Sequence, residues 1–174
     1  IEMLKPKGMQ QLITALRGNT GGVITAATQI ANEFLKQDQL IVYTDGAKTG
    51  KKEYRCTRDG LYTDLKLEVL IDETSASASE ILAGALQDWD RATIIGRRSF
   101  GKGLVENQFR LNNGAALRLT VARYYTPLGR NIQKPYTTDT DKYKHELATR
   151  FHDGETVLGD TSTPKRKQYK TPEG

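Results

Sequence analysis

Residues that serve metal and redox chemistry are scarce in this chain. Among 174 residues there is one cysteine, Cys56, and there are two histidines, His145 and His152. A lone cysteine excludes an internal disulfide and any site built from several thiolates. No H-E-x-x-H occurs and the carboxylates do not gather around the histidines, so neither a metal nor any other cofactor is expected. Both histidines lie in the polar C-terminal stretch, which a Ser-His-Asp triad would have to recruit. No apolar run reaches the ~18 residues of a spanning helix. No signal-peptide pattern is visible. The chain opens on Ile1 without an initiator methionine and reads as a fragment. The net charge is +5. Its basic residues form only small clusters, at 48–52, 97–98 and 165–167, with no long basic helix or basic-aromatic alternation, so nucleic acid is not an expected partner.

The mean hydropathy is −0.59, and part of that polarity comes from the C-terminal stretch. Residues 1–135 read as the globular unit, long enough to bury a core. Residues 136–174 mix charges of both signs with isolated apolar residues. They read as a loosely ordered extension with a short helix near 143–151. Within the globular part, residues 9–16 suggest a strand. Residues 23–35 carry apolar side chains at one-sided helical spacing. Residues 40–44 (L-I-V-Y-T) read as a buried strand, 45–52 as a lysine-rich loop and 53–57 as an edge strand. A further strand is expected over 67–72, a helix over 79–89 and a strand over 92–95. Two extended runs, 104–111 and 115–125, flank the hairpin turn Asn112-Asn113-Gly114. Alternating strands and helices of this kind describe an α/β fold.

Two turns stand out. Residues 17–22 (R-G-N-T-G-G) lack the G-x-G-x-x-G spacing of a dinucleotide fingerprint. They fit either a strand-to-helix turn needing positive φ or a set of exposed N–H groups that hold developing negative charge. Residues 75–79 (S-A-S-A-S) open a helix, where any of the three serines could be a cap. Small neighbours also let a substrate backbone approach. Ser77 at this turn would have the Ala78 N–H beside it as an oxyanion donor. A serine needs a base to take its proton. With histidine remote, lysine is the remaining choice, and it serves only if burial lowers its pKa. Lys102 lies between Gly101 and Gly103, with Phe100, Leu104 and Val105 near enough in sequence to form an apolar pocket. Ser99-x-x-Lys102 is a competing S-x-x-K pattern, but its glycines disfavour the helix that pattern needs.

The stretch S-A-S-A-S-E-I-L-A-G-A-L-Q-D (75–88), followed by G-R-R-S-F-G-K-G-L-V (96–105), resembles the C-terminal processing, or tail-specific, serine peptidases. L-R-G-N-T-G-G (16–22) is similar to the same family's glycine turn, and R-Y-Y-T-P with Gly129-Arg130 and Ile132-Gln133 to its segment after the active site. The four blocks span residues 9–135 in the family's order. The resemblance implies a ClpP/crotonase-like core, with Ser77 as nucleophile, Lys102 as general base, and the Gly22 and Ala78 N–H groups as oxyanion hole. It implies cleavage near the C-termini of unfolded or C-terminally tagged protein substrates, a location in the bacterial envelope or periplasm, and a PDZ domain in the full-length protein. It leaves a homo-oligomer open.

Departures from the family pattern matter. Glu106 stands where the family commonly has a glutamine that orients the lysine. A carboxylate reaching Lys102 would raise the lysine pKa and oppose a general base. Ala15 stands where the family often has an aspartate. Core strands that usually precede residue 9 are expected to be missing, along with the PDZ domain. Two other classes remain open: a non-catalytic or autoinhibited peptide-binding relative, and a crotonase-like enzyme acting on an acyl thioester.

Overall fold

The computed structural model describes residues 1–136, 138–158 and 168–174. After a 3-10 turn at Lys5–Lys7, the elements are β1 (Gln11–Ala15), α1 (Ile24–Asn32), β2 (Leu40–Gly46), β3 (Gly50–Arg55), β4 (Lys66–Ile71), α2 (Ala78–Asp88), β5 (Thr93–Gly96), β6 (Leu104–Arg110) and β7 (Ala116–Tyr125). Three short helices follow: α3 (Thr140–Lys144), α4 (Glu146–His152) and α5 (Glu155–Leu158). The result is a mixed α/β architecture with two sheets. One is parallel, in the order β1-β4-β5. The other runs β3-β2-β7-β6 and is antiparallel.

Parallel strands need a crossover, and α2 is the crossover from β4 to β5. It buries nine residues, including Ile81, Leu82, Ala85 and Leu86, so it is enclosed nearly all round. It packs against α1, β2 and β5. The core joins these side chains to Ala31 and Leu35 from the α1 side, Ile41 and Val42 of β2, and Val69 of β4. Each large aliphatic side chain withdrawn from water there contributes about 1.5–3 kcal/mol. That burial makes α2 a rigid base for the turn at its N-terminus.

Two regions depart from the sequence reading. Residues 45–52 are not a loop: Asp45 pairs with Lys51 and Gly46 with Gly50, so β2 and β3 run on into a tight hairpin. Lys48 lies in the turn, while Lys51 and Lys52 sit on the edge strand β3, where charge blocks further pairing. Among the described residues beyond 136, the expected short helix near 143–151 is joined by further helical turns, so that α3, α4 and α5 form where a loosely ordered extension was expected. Asp139 caps α3 by accepting the Asp141 and Lys142 N–H groups. Arg150 and Glu155 are both buried.

Candidate active site

The site forms where the glycine turn and the serine turn are stitched together. Asp72, just past β4, accepts hydrogen bonds from the Gly18 N–H at 3.0 Å, the Thr74 N–H at 3.0 Å and hydroxyl at 2.7 Å, and the Ser75 N–H at 3.1 Å. Burial works against its charge, but these donors outweigh burial and hold the carboxyl below its ordinary value. The Ser75 hydroxyl donates to the Leu16 carbonyl at 2.8 Å. The Ala76 N–H donates to the Asn19 carbonyl at 3.1 Å. Gly21, at φ +95°, lies so close that a Cβ there would stand 2.5 Å from the Ala76 oxygen and 2.7 Å from the Ala78 nitrogen. Close approach, as well as positive φ, is therefore what the glycine turn requires.

This stitching separates the three serines. Ser75 is 1% exposed and its hydroxyl is bonded to the first turn. Ser79 is 4% exposed inside α2. Ser77, at the N-cap, is only half-buried and adopts φ +56°, ψ −118°. A non-glycine residue in such a conformation costs about 1–3 kcal/mol and persists only where its surroundings impose it. A strained strand-to-helix turn of this kind lifts a nucleophile clear of the backbone. Among the described residues, neither the Ala78 N–H nor the Gly22 N–H has an acceptor. Ala78 opens α2, and Gly22 immediately precedes Val23, the N-cap of α1. Both donors are thus available at helix starts.

Glu80, which the sequence reading missed, holds the site together. It is 7% exposed. Its Oε2 accepts the Ser77 N–H at 2.9 Å and the Lys102 N–H at 2.8 Å. Its Oε1 accepts the Gly101 N–H at 2.7 Å and the Ser99 hydroxyl at 2.6 Å. One carboxylate therefore ties the backbones of Ser77 and Lys102 to each other. The signal was present in S-A-S-E, the serine-to-glutamate spacing of a capping box. What that pattern lacks is any sign that the same glutamate also grips a loop some twenty residues on.

Lys102 is fixed by its backbone and not by its side chain. The Gly103 N–H donates to Gln133 Oε1 at 3.0 Å and the Lys134 N–H to the Gly101 carbonyl at 3.0 Å. The Lys102 side chain is exposed and has no ion-pair partner among the described residues. The expected apolar pocket does not enclose it: Phe100, Leu104 and Val105 are half-buried, and the Phe100 ring packs against Lys134 Nζ at 5.1 Å. Glu106 is exposed on β6 and forms no ion pair with Lys102. Its charge acts instead on Tyr136, whose hydroxyl is pushed up by burial first and then by neighbouring Tyr143. Ser99 is engaged with Glu80, and no helix joins it to Lys102, so the S-x-x-K pattern has no geometry behind it. His145 and His152 are exposed on the C-terminal helices. Cys56 is 2% exposed and burial pushes its thiol up to about 11, leaving it unreactive. Among the described residues, no group of His, Cys, Asp or Glu could hold a metal. A cavity of about 890 Å³ reaches Glu80 and Gly101 but is lined by neither Ser77 nor Lys102.

Comparison with known proteins places the chain in a family. The family model described as peptidase family S41 matches residues 1–142. A carboxyl-terminal-processing protease of Picosynechococcus sp. is 42% identical over 134 residues, 77% of this chain and 32% of that protein. A carboxy-terminal-processing protease of Bartonella bacilliformis is 43% identical over 147 residues, 84% of this chain and 34% of that protein. The solved photosystem II D1 C-terminal processing protease superposes with a TM-score of 0.70 at 34% identity, over 75% of this chain and 34% of that one. This chain thus spans about a third of the length of these relatives. With its fold, its two stitched turns and these likenesses taken together, the chain belongs to peptidase family S41.

Proposed function

We propose that these residues form the catalytic part of a serine endopeptidase that cleaves protein substrates near their C-termini, with Ser77 as nucleophile and Lys102 as general base. The observation that carries this reading is that one buried carboxylate, Glu80, accepts the amides of both residues. Neutral Lys102 takes the Ser77 proton and Ser77 attacks the scissile carbonyl. The Gly22 and Ala78 N–H groups hold the oxyanion, at roughly 3 kcal/mol per donor. Protonated Lys102 then gives its proton to the leaving amine, and water hydrolyses the acyl-enzyme.

A lysine base needs burial, and Lys102 is exposed in this chain. The cover must come from bound substrate or from further protein seated over the turn. A PDZ domain that captures a substrate C-terminus, a homo-oligomer and an extracytoplasmic location belong to the same proposal. The exposed Lys102 also favours a second reading, peptide binding without turnover. A fluorophosphonate probe separates the two. Labelling at Ser77 that disappears in Ser77→Ala and falls sharply in Lys102→Ala supports catalysis. Equal labelling of wild type and Lys102→Ala contradicts the dyad.

A further inference from the structure

The loop at residues 98–102 is held by its N–H groups on one side and by its carbonyls on the other. The Phe100 N–H goes to the Ser75 carbonyl at 3.0 Å, and the Gly101 and Lys102 N–H groups go to Glu80. The carbonyls are taken by a residue of the C-terminal extension. Arg150 on α4 donates Nη2 to the Arg98 oxygen at 2.6 Å and Nη1 to the Ser99 oxygen at 3.4 Å. Its guanidinium is oriented by Glu155 of α5, which accepts Nε at 2.8 Å and Nη2 at 2.6 Å. Arg98 reaches the same carboxylate, with Nη2 3.4 Å from Glu155 Oε2.

This pair is buried and charged. Arg150 is 7% exposed and Glu155 8%. Burial works against the Glu155 charge, but Arg150 and then Arg98 outweigh it and keep the carboxyl below its ordinary value. A buried fork of this kind has directed, charge-assisted hydrogen bonds. Removing one member leaves the other uncompensated. Further contacts of α3 and α4 fall on the same loop system. Tyr143 of α3 accepts from Gln133 Nε2 at 2.9 Å, and Gln133 holds the Gly103 N–H. Glu146 of α4 pairs with Lys134 at 2.7 Å, and the Lys134 backbone is bonded to Gly101.

We infer that α3 to α5 form a brace for the Lys102 loop, and that Arg150 is a positioning residue acting on Lys102 through the Arg98 and Ser99 carbonyls. The loop is strung between a carboxylate on its N–H side and a guanidinium on its carbonyl side, so losing either lets the lysine backbone shift. The link to catalysis rests on the reading of Lys102 as general base; the brace itself does not.

The test uses the full chain with Arg150→Gln and, as the conservative variant, Arg150→Lys. Amide exchange is followed at Phe100, Gly101, Lys102 and Leu86, and Ser77 labelling is followed against pH. In Arg150→Gln, exchange at Gly101 and Lys102 rises about tenfold while Leu86 in the α2 core is unchanged, since local opening frees the loop alone. Ser77 labelling slows about tenfold or more, the scale of a misplaced catalytic group, and its pH midpoint moves. Arg150→Lys, which keeps the charge, restores part of both. Changes confined to α4 and α5 overturn the brace. So does unfolding of both variants in which Leu86 exchanges as fast as Gly101. A wild-type chain that never labels at Ser77 removes the proposed dyad, and exchange still decides whether the brace exists.

Discussion

Ser77 and Lys102 are bound to the same carboxylate, yet they are held in different ways. The Ser77 conformation is imposed from three sides: by the core of α2, by the glycine turn pressed against Ala76 and Ala78, and by Glu80. Lys102 is fixed only along its backbone, and its side chain extends into solvent. The serine turn is preorganised by the fold. The lysine is presented by the fold and would have to be covered to act as the proposed base. Half of the proposed dyad is in place in these residues, and the other half depends on what covers it.

Substitutions can break or sharpen that contrast. The largest effect is expected from Glu80→Ala, because it releases both residues at once. It leaves the Ser77 amide, two loop amides and the Ser99 hydroxyl without their acceptor, and each such part-buried donor costs up to about 1–3 kcal/mol. Thermal unfolding should shift downward, and Ser77 labelling should fall at least about a hundredfold as both groups lose their places. Labelling at the wild-type rate would mean that the shared carboxylate does not organise the site.

A smaller and one-sided effect is expected from Gly21→Ala. The new methyl collides with backbone at Ala76 and Ala78 and sits at φ +95°, so the serine turn must move while the Lys102 loop stays. Labelling should slow about tenfold or more, with amide exchange at Gly101 and Lys102 unchanged. Faster exchange in the lysine loop would show that the two halves are not separable.

The smallest effect is expected from Glu106→Gln. Glu106 makes no ion pair with Lys102 and is exposed, so its field is screened. Labelling should change by less than about twofold at physiological salt, where exposed charges are weakly coupled. A large gain would show that Glu106 reaches Lys102 once the site is covered, as its place in the sequence suggests.

How much was legible follows from range. The strands, α1 and α2 were readable because helical spacing and apolar runs are local signals, whereas position alone left the three serines at the helix start equivalent and only the family resemblance singled out Ser77. The β2–β3 hairpin was not readable, because lysines on an edge strand look like lysines in a loop. Glu80 carried a local capping-box signal that went unread, and its bonds to Gly101 and Lys102 span more than twenty residues. No periodicity records such a contact. Arg150 was hidden further still, as one basic residue in a stretch of mixed charge whose burial depends on Glu155 and on two carbonyls fifty residues away. The exposure of Lys102 also contradicted a local inference: apolar neighbours in sequence do not make a pocket unless they fold over the side chain.

The most direct test of the central claim is the pH dependence of fluorophosphonate labelling at Ser77, compared between wild type and Lys102→Ala. The reading of Lys102 as base predicts a wild-type rate that rises with pH as the ammonium loses its proton, and a slow, flatter profile in the variant. A wild-type rate that stays flat from neutral to alkaline pH, or the same rising profile in Lys102→Ala, would contradict it.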